Sequence, residues 1–508
     1  MESGEIMEII IFLLVLTGVI TVHELGHFLF AKLFKVRVLE FAIGFGPKLF
    51  GIEKGETLYR VNVFPVGGYV RMKGEDVLEE DRSPDSFMAK PAWQRFLIAF
   101  AGPLFSILAG YVLLAIVAVG WGFPSVVLER VEKDFPAYSM GLRPGDRVVE
   151  VNGRVIIETT DLSEAVERGK PLDLLVERDG KRFRVQVAPV IQEMGFVSLV
   201  LKTLEAPGDL EGAHLKSVGG YVLSSSTIDR IRELSGRVVE IEADGMSFRA
   251  ELVSFNSTGP RYILGISYAT LAPVFARDVG PFRAGDRLLS IGGMEIKDSV
   301  DLSDAVARLQ LASDEIMITC WGERVGTVLR GFPEEGILVE VVRNGQVRRF
   351  TLDKKELLEL LVQAAVFKEA YPYWRPENPF EALRMGFIWA NKLLKTMIEF
   401  VQRLFTGRES AGQIVGPVGI VNLMSEASKA GLKTSLVLIA IITLNLGIFN
   451  MIPLPALDGG RMVFALVEIV LRKRVPPKVE SYIHALGFLL LMFLMIYITF
   501  IDVLRLVR

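Results

Sequence analysis

The chain of 508 residues contains a single cysteine, Cys320. No disulfide can form within it, which excludes a secreted, disulfide-dense fold. Histidine is almost as scarce, at four residues. A surplus of either charge is also missing: 57 Lys and Arg against 60 Asp and Glu leave a formal net charge of −3. Nothing in that balance points to a nucleic-acid partner. Charged residues are 23% of the chain and unevenly spread, while 51% of residues are hydrophobic and the mean hydropathy is +0.39. That profile describes apolar segments attached to ordinary soluble domains, in a chain long enough for about two to four domains.

Four segments have the length and apolarity of a bilayer span, which needs about 20 residues. They are residues 6–34, 93–121, 434–470 and 482–504. The first is not expected to be a cleaved signal peptide, because the acidic MESGEIME precedes it and no small-residue cleavage site follows. Lys32, Lys35, Arg37 and Lys48 follow the first span, and Arg472, Lys473, Arg474 and Lys478 lie between the third and fourth. The excess of positive charge assigns both loops to the cytoplasm. Both termini, and the region from 125 to about 430, are then expected to face outward; Arg505 and Arg508 weakly oppose this.

That outward region contains a repeat. GLRPGDRVVEVNG (141–153) matches PFRAGDRLLSIGG (281–293), and DLSEAV (161–166) matches DLSDAV (301–306) at the same offset. Each unit reads as a turn at Gly-Asp, an alternating strand, a Gly turn and a short capped helix. A β-hairpin follows, with its turn at RDG (178–180) or RNG (343–345). The second hairpin arrives late, so an insertion near 315–338 is expected. The units resemble bacterial PDZ domains, an α+β fold, at 125–202 and 262–355. Such domains add an extended peptide to a sheet edge beside a helix; service as spacers or size filters is an equal alternative. Residues 203–261 alternate in places, with a DG turn, and read as a hairpin or small subdomain. Residues 371–432 read as a Pro- and aromatic-rich linker followed by an amphipathic helix, lying on the membrane surface or packed on the repeat pair.

The chemistry sits in the first span, in HELGH. On a helix His23 and His27 fall on one face, one turn apart, where two neutral imidazoles can share a metal ion. Glu24 between them can take a proton from a metal-bound water. This is the HExxH spacing of zinc hydrolases, a short pattern that also arises by chance. The membrane context strengthens it: a charge at mid-bilayer costs about 2.5–3.5 kcal/mol and is usually paired or functional. The third span carries a second such acid, Asp458, in NMIPLPALDGG (450–460). One metal ion bound by His23, His27 and Asp458 would explain all of these residues. Pro453 and Pro455 must break or kink that span, and freed backbone at membrane depth is tolerated only under protein or beside a water cavity.

HELGH in a first span, NxxPxPxLDG in a later one and PDZ-like units between them resemble the site-2 protease family of intramembrane metalloproteases. The tandem units and four-span layout are similar to the bacterial branch that regulates sigma-E. The resemblance covers nearly the whole chain except 203–261 and the insertion in the second unit. It implies Zn2+ as cofactor, held by His23, His27 and Asp458, with Glu24 as catalytic acid and base. It places Asn450 and Pro453 beside the substrate strand. FPVGGYVRMKGED (64–76), with Gly67 and Gly68, and Gly44 and Gly46 before it, resembles the family's membrane-re-entrant β-hairpin within a cytoplasmic loop at 35–92. Many relatives carry Asn where this chain has Ser106. The implied activity is intramembrane cleavage of single-span proteins in the bacterial inner membrane, such as anti-sigma factors or signal-peptide remnants. A site-1 protease would trim them first, and the PDZ pair would gate access. The reading from a different class is a non-catalytic membrane scaffold recruiting peptides; a zinc protease acting at the membrane surface is weaker. His484 and Cys320 read as structural.

Overall fold

The computed structural model describes residues 3–75, 83–193, 195–203, 210, 212–321, 324–363, 366–370, 374–376, 378–407 and 415–507. Residues 76–82, 371–373 and 408–414, parts of the expected loop and linker, lie outside the described residues. The chain divides into two units, one of Met1–Phe123 with Arg375–Arg508 and one of Pro124–Trp374. Ten helices of eight or more residues occur among the described residues. In chain order they are α1 (Ser3–Leu33), α2 (Ala92–Trp121), α3 (Thr159–Glu167), α4 (Ser299–Gln310), α5 (Lys354–Leu361), α6 (Pro379–Phe405), α7 (Pro417–Lys429), α8 (Leu432–Met451), α9 (Asp458–Leu471) and α10 (Pro477–Val507).

In the first unit four helices are long and apolar enough to cross a membrane, over Leu13–Leu33, Ala92–Trp121, Leu432–Met451 and Lys478–Asp502. α2 is central, and small residues set its contacts, as expected where close packing rather than hydrophobic exclusion joins helices. Gly26 of α1 lies against the Ala101 carbonyl, Gly447 of α8 against Ile107 and the Pro103 carbonyl, and Gly386 of α6 against Ala115. The amphipathic helix expected at 380–405 is therefore α6 packed on α2, and Tyr111 donates to Asn391 Oδ1 at 2.5 Å. The third expected span, 434–470, is not one helix. It stops at Met451 and restarts at Asp458, because Pro453 and Pro455 lack the N–H groups that would continue it. Gly459 lets the break fold back on α9, since a Cβ there would stand 2.0 Å from the Ile452 carbonyl oxygen.

Between α1 and α2 the strands Val38–Lys54 and Thr57–Met72 form an antiparallel hairpin that bends over on itself. Gly44 and Gly46, at φ of 79° and 91°, make the bend. Ile43 is paired with Gly68 on one side and Val61 on the other, and Lys54 with Thr57. The segment Gly68–Met72 is left at an edge, with no further strand beside it among the described residues. Its approach sits on α1: Thr17 Oγ1 donates to the Pro65 carbonyl at 2.5 Å, and Gly67 and Gly68 lie against Ile20 and Thr21.

Among the described residues the second unit holds three large sheets, each with its own buried apolar cluster, and a short two-stranded ladder of 190–192 with 261–263. The first repeat builds a sheet in the order 266–268, 126–131, 147–151, 172–178, 181–187, and the second repeat one in the order 346–352, 337–343, 287–291, 271–275, 367–369. Between them in sequence lies a seven-stranded sheet, 221–222, 215–218, 237–243, 246–257, 196–203, 315–321, 324–330. This redraws the expected boundaries. Phe196–Thr203, assigned above to the first repeat, and the insertion at 315–330, assigned to the second, pair with each other from Phe196–Trp321 to Lys202–Glu315. The region 203–261 supplies the long hairpin of the same sheet, turning at Asp244 and Gly245 with φ of 38° and 83°, the left-handed pair that a two-residue hairpin requires. Ile266–Tyr268, expected in the second repeat, pairs with the first.

The repeat signature has a physical basis. Asp146 accepts a two-pronged bond from Arg178, at 2.6 and 2.8 Å, and Asp286 one from Arg343, at 2.8 and 2.6 Å. Each aspartate also accepts the backbone N–H three residues earlier, at 2.9 Å. The Gly-Asp turn is thereby tied to the Arg that opens the hairpin turn, far along the chain, in both units.

Candidate metal centre

α1 carries His23 and His27 on one face, and the restart of the broken helix delivers Asp458 as the first residue of α9. His23 Nε2 lies 3.0 Å from Asp458 Oδ2, His27 Nε2 lies 3.3 Å from His23 Nε2 and 3.4 Å from the same carboxylate oxygen. A tetrahedral zinc ion with bonds of about 2.0–2.1 Å holds its ligand atoms about 3.3 Å apart. Among the described residues this is the one His, Cys, Asp and Glu cluster with such convergence.

The far side of each imidazole is fixed. His27 Nδ1 donates to the Ile98 carbonyl at 2.8 Å, and His23 Nδ1 lies 3.0 Å from Ser106 Oγ. A proton held on Nδ1 leaves Nε2 as a lone pair aimed at the cluster, the orientation a metal-binding histidine needs. Two lone pairs and a carboxylate oxygen then face one another at hydrogen-bond distance, an arrangement that a cation relieves. Space for it is kept by Gly102 of α2. A Cβ there would stand 2.2 Å from His27 Nε2 and 2.7 Å from His23 Nε2. The donor set and the cradle both fit a zinc ion.

The three residues open onto a cavity of about 1000 Å³, lined also by Glu24, Asn450, Arg461 and the hairpin edge from Tyr69 to Met72. Glu24 and Asn450 thus share the cavity with the cluster. Pro453, Gly67 and Gly68 do not line it. The glycines instead seat the strand on α1, so that the next four residues face the cavity. Pro453 belongs to the helix break that presents Asp458.

Several contributors escaped the sequence reading. The Ile98 carbonyl carries no side-chain signal. Gly102 was marked only by a Gly-Pro pair inside a span, which commonly signals close helix approach. Arg461 pairs with Glu75 at 2.5 Å, and Glu75 also accepts the Met72 N–H at 3.0 Å, tying the end of the edge strand to α9. His484, read above as structural, also lines the cavity, and its Nδ1 accepts the Ala456 N–H at 2.9 Å inside the helix break.

A fold of apolar spans with two imidazoles and a carboxylate converging beside a glutamate defines a membrane metallohydrolase. The model of peptidase family M50 matches residues 11–494, and the chain belongs to that family, the site-2 type zinc metalloproteases. It is 40% identical over 506 residues to a Thermotoga maritima protein named a zinc metalloprotease, covering 98% of this chain and 99% of that one. It is 27% identical to zinc metalloprotease RasP of Geobacillus kaustophilus, over 97% of both chains. With RasP of Shouchella clausii the identity is 25%, over 97% of this chain and 98% of the other. The protein is a multi-pass membrane zinc metalloprotease.

Proposed function

We propose that this enzyme cuts peptide bonds within the membrane, in single-span proteins, with His23, His27 and Asp458 holding zinc and Glu24 as general base and acid. The observation that carries the reading is the convergence of the three ligand atoms, drawn from two apolar helical regions, on one cavity that also contains Glu24. Zinc bound there supplies an acidified water and polarises the scissile carbonyl. Glu24 takes the proton of the attacking water and returns it to the leaving amine. The imidazoles stay oriented by Ile98 and Ser106 of α2 throughout.

A peptide bond in a helix is shielded, so a substrate must be opened first. The edge Tyr69–Arg71, with no further strand beside it among the described residues, lies along the cavity and is suited to receiving an extended segment by strand addition. Asn450, which lines the same cavity, is read as a hydrogen-bonding partner of substrate backbone. The hairpin is read as re-entrant: Pro65–Gly68 touches α1 at Thr17, Ile20 and Thr21, inside the span, and Phe45, Leu49, Phe50, Ile52 and Phe64 are exposed apolar groups suited to lipid. The reading also keeps the repeats as PDZ-like units outside the cytoplasmic membrane, gating substrates of the anti-sigma-factor or signal-peptide kind after a first cut by another protease. The test is cleavage of a model single-span substrate by purified enzyme. Glu24→Gln is expected to lower the rate by about 10²–10⁴ with zinc retained; cleavage at the wild-type rate would refute the assignment of Glu24.

A further inference from the structure

The open edge along Gly68–Met72 ends abruptly, and one residue ends it. Lys73 turns its N–H inward, to the Arg37 carbonyl at 2.9 Å. Successive backbone groups of an antiparallel strand alternate sides, so the N–H and carbonyl of Met72 point to the open edge. Glu75 takes both. Its Oε2 accepts the Met72 N–H at 3.0 Å. Its own backbone N–H donates to the Met72 carbonyl at 3.3 Å, across a turn that Gly74 completes at φ of 62°. By the same alternation the next outward pair belongs to Val70. A strand laid along this edge can therefore pair at Val70 but not at Met72.

The second oxygen of Glu75 goes to α9. Arg461 Nη1 donates to Glu75 Oε1 at 2.5 Å, and Arg461 stands about one turn past Asp458 on that helix, on the same side. Met72, Glu75, Asp458 and Arg461 all line the cavity. One carboxylate thus joins the end of the edge to the helix that delivers a metal ligand. With its guanidinium side chain 39% exposed, this ion pair adds little to stability by itself. What it fixes is a length, the spacing between the last free backbone groups of the edge and the metal centre.

We infer that Glu75 and Arg461 are positioning residues that set the register of the substrate strand against the metal, and so select which peptide bond is cut. The inference rests on the reading that substrate joins the edge Tyr69–Arg71. Strand pairing repeats at every second residue, so a strand held by backbone bonds alone slips in steps of two. An opened piece of an apolar span offers similar side chains at each step, which specifies register weakly. The stop at Met72 removes that freedom at one end.

The test maps cleavage sites by mass spectrometry in a synthetic single-span peptide cut by the full chain in detergent. Wild type is expected to give one main product. Glu75→Ala frees Met72 and releases Arg461; it is expected to raise the product cut two residues away about tenfold relative to the main one, the worth of one hydrogen bond to a charged group. Arg461→Met keeps the carboxylate on Met72 but loses its tether, and is expected to move the same ratio in the same direction by less. Arg461→Lys keeps the ion pair and is expected to keep the single main product. Zinc content equal to that of wild type shows that each variant is intact at the metal. The inference is overturned if zinc-loaded Glu75→Ala and Arg461→Met cut only at the wild-type bond, at whatever rate, as a merely structural tether requires, or if they cut nowhere. The reading beneath it is tested apart, with wild type and two versions of the peptide N-methylated at one or the other alternate set of amides around the cut bond. Undiminished cleavage of both would remove strand addition and this inference with it. Loss of cleavage there, with unmoved sites in the variants, would remove the register role alone.

Discussion

Asp458, half-buried at its cavity, and Asp286, buried in the second repeat, are two aspartates with opposite meanings. Asp286, with a side chain 1% exposed, meets a guanidinium in a two-pronged bond and a backbone N–H. Its charge is neutralised within the fold, and Arg343 holds its carboxyl below the usual carboxylate range. Asp458 meets two imidazoles whose other nitrogens are engaged at Ile98 and Ser106. Neutral imidazoles supply no positive charge to a carboxylate. The difference lies in what each site still needs: the first is complete, and the second asks for a cation. A buried ionisable residue is thus read as structural or functional by whether its partners close the charge balance.

The comparison breaks first at the metal. Asp458→Ala is expected to lower tightly bound zinc from about one equivalent per chain to background, measured by metal analysis after dialysis against a weak chelator. Gly102→Ala is expected to do the same without touching a ligand, because its methyl group would occupy the space in front of both Nε2 atoms. A full equivalent of zinc in Asp458→Ala would remove that residue from the site, and one in Gly102→Ala would show that the cradle can yield.

The next effect is on stability and belongs to the second unit alone. Asp286→Ala removes the carboxylate partner of Arg343, which keeps only its bond to the Pro281 carbonyl, and is expected to destabilise the sheet of the second repeat. Hydrogen exchange of Ile337–Arg343 should report it, with zinc content unchanged. The pH dependence has a definite sign. A carboxyl whose folded value is lowered contributes fully above its unfolded value, about pH 4, and loses that contribution as pH falls through the folded value. Protection of this strand is therefore expected to drop below about pH 4 in the wild type, with that step missing in Asp286→Asn.

Much of this was legible in sequence because its signals are local. HELGH fixes two ligands by helix geometry alone, and the repeat showed itself through matching turns. The prolines announced the break before Asp458. What could not be read was pairing at a distance. Phe196–Thr203 alternates as well as any strand of the first repeat, and nothing in its residues says that it joins the insertion 315–330 instead. The same holds for Ile266–Tyr268, whose pattern is that of a strand but whose partner is set by the fold. Within the site, Gly67 and Gly68 drew attention through the hairpin resemblance, yet they lie close to Ile20 and Thr21 of α1, and the cavity is lined by Tyr69–Met72.

The smallest expected effect sharpens the comparison most. Ser106 stands 3.0 Å from His23 Nδ1, at the position where the resemblance to relatives calls for Asn. If it orients the imidazole, Ser106→Ala should weaken zinc retention about 10–100-fold, read by competition with a chelator of known affinity. Cleavage by zinc-saturated Ser106→Ala should fall far less than cleavage by Glu24→Gln, since the hydroxyl takes no part in proton transfer. An interhelical hydrogen bond with no bearing on the metal would leave zinc competition unchanged and lower only the thermal stability of the first unit. The two outcomes separate a partner that completes the metal site, as Arg343 completes Asp286, from one that merely joins α1 to α2.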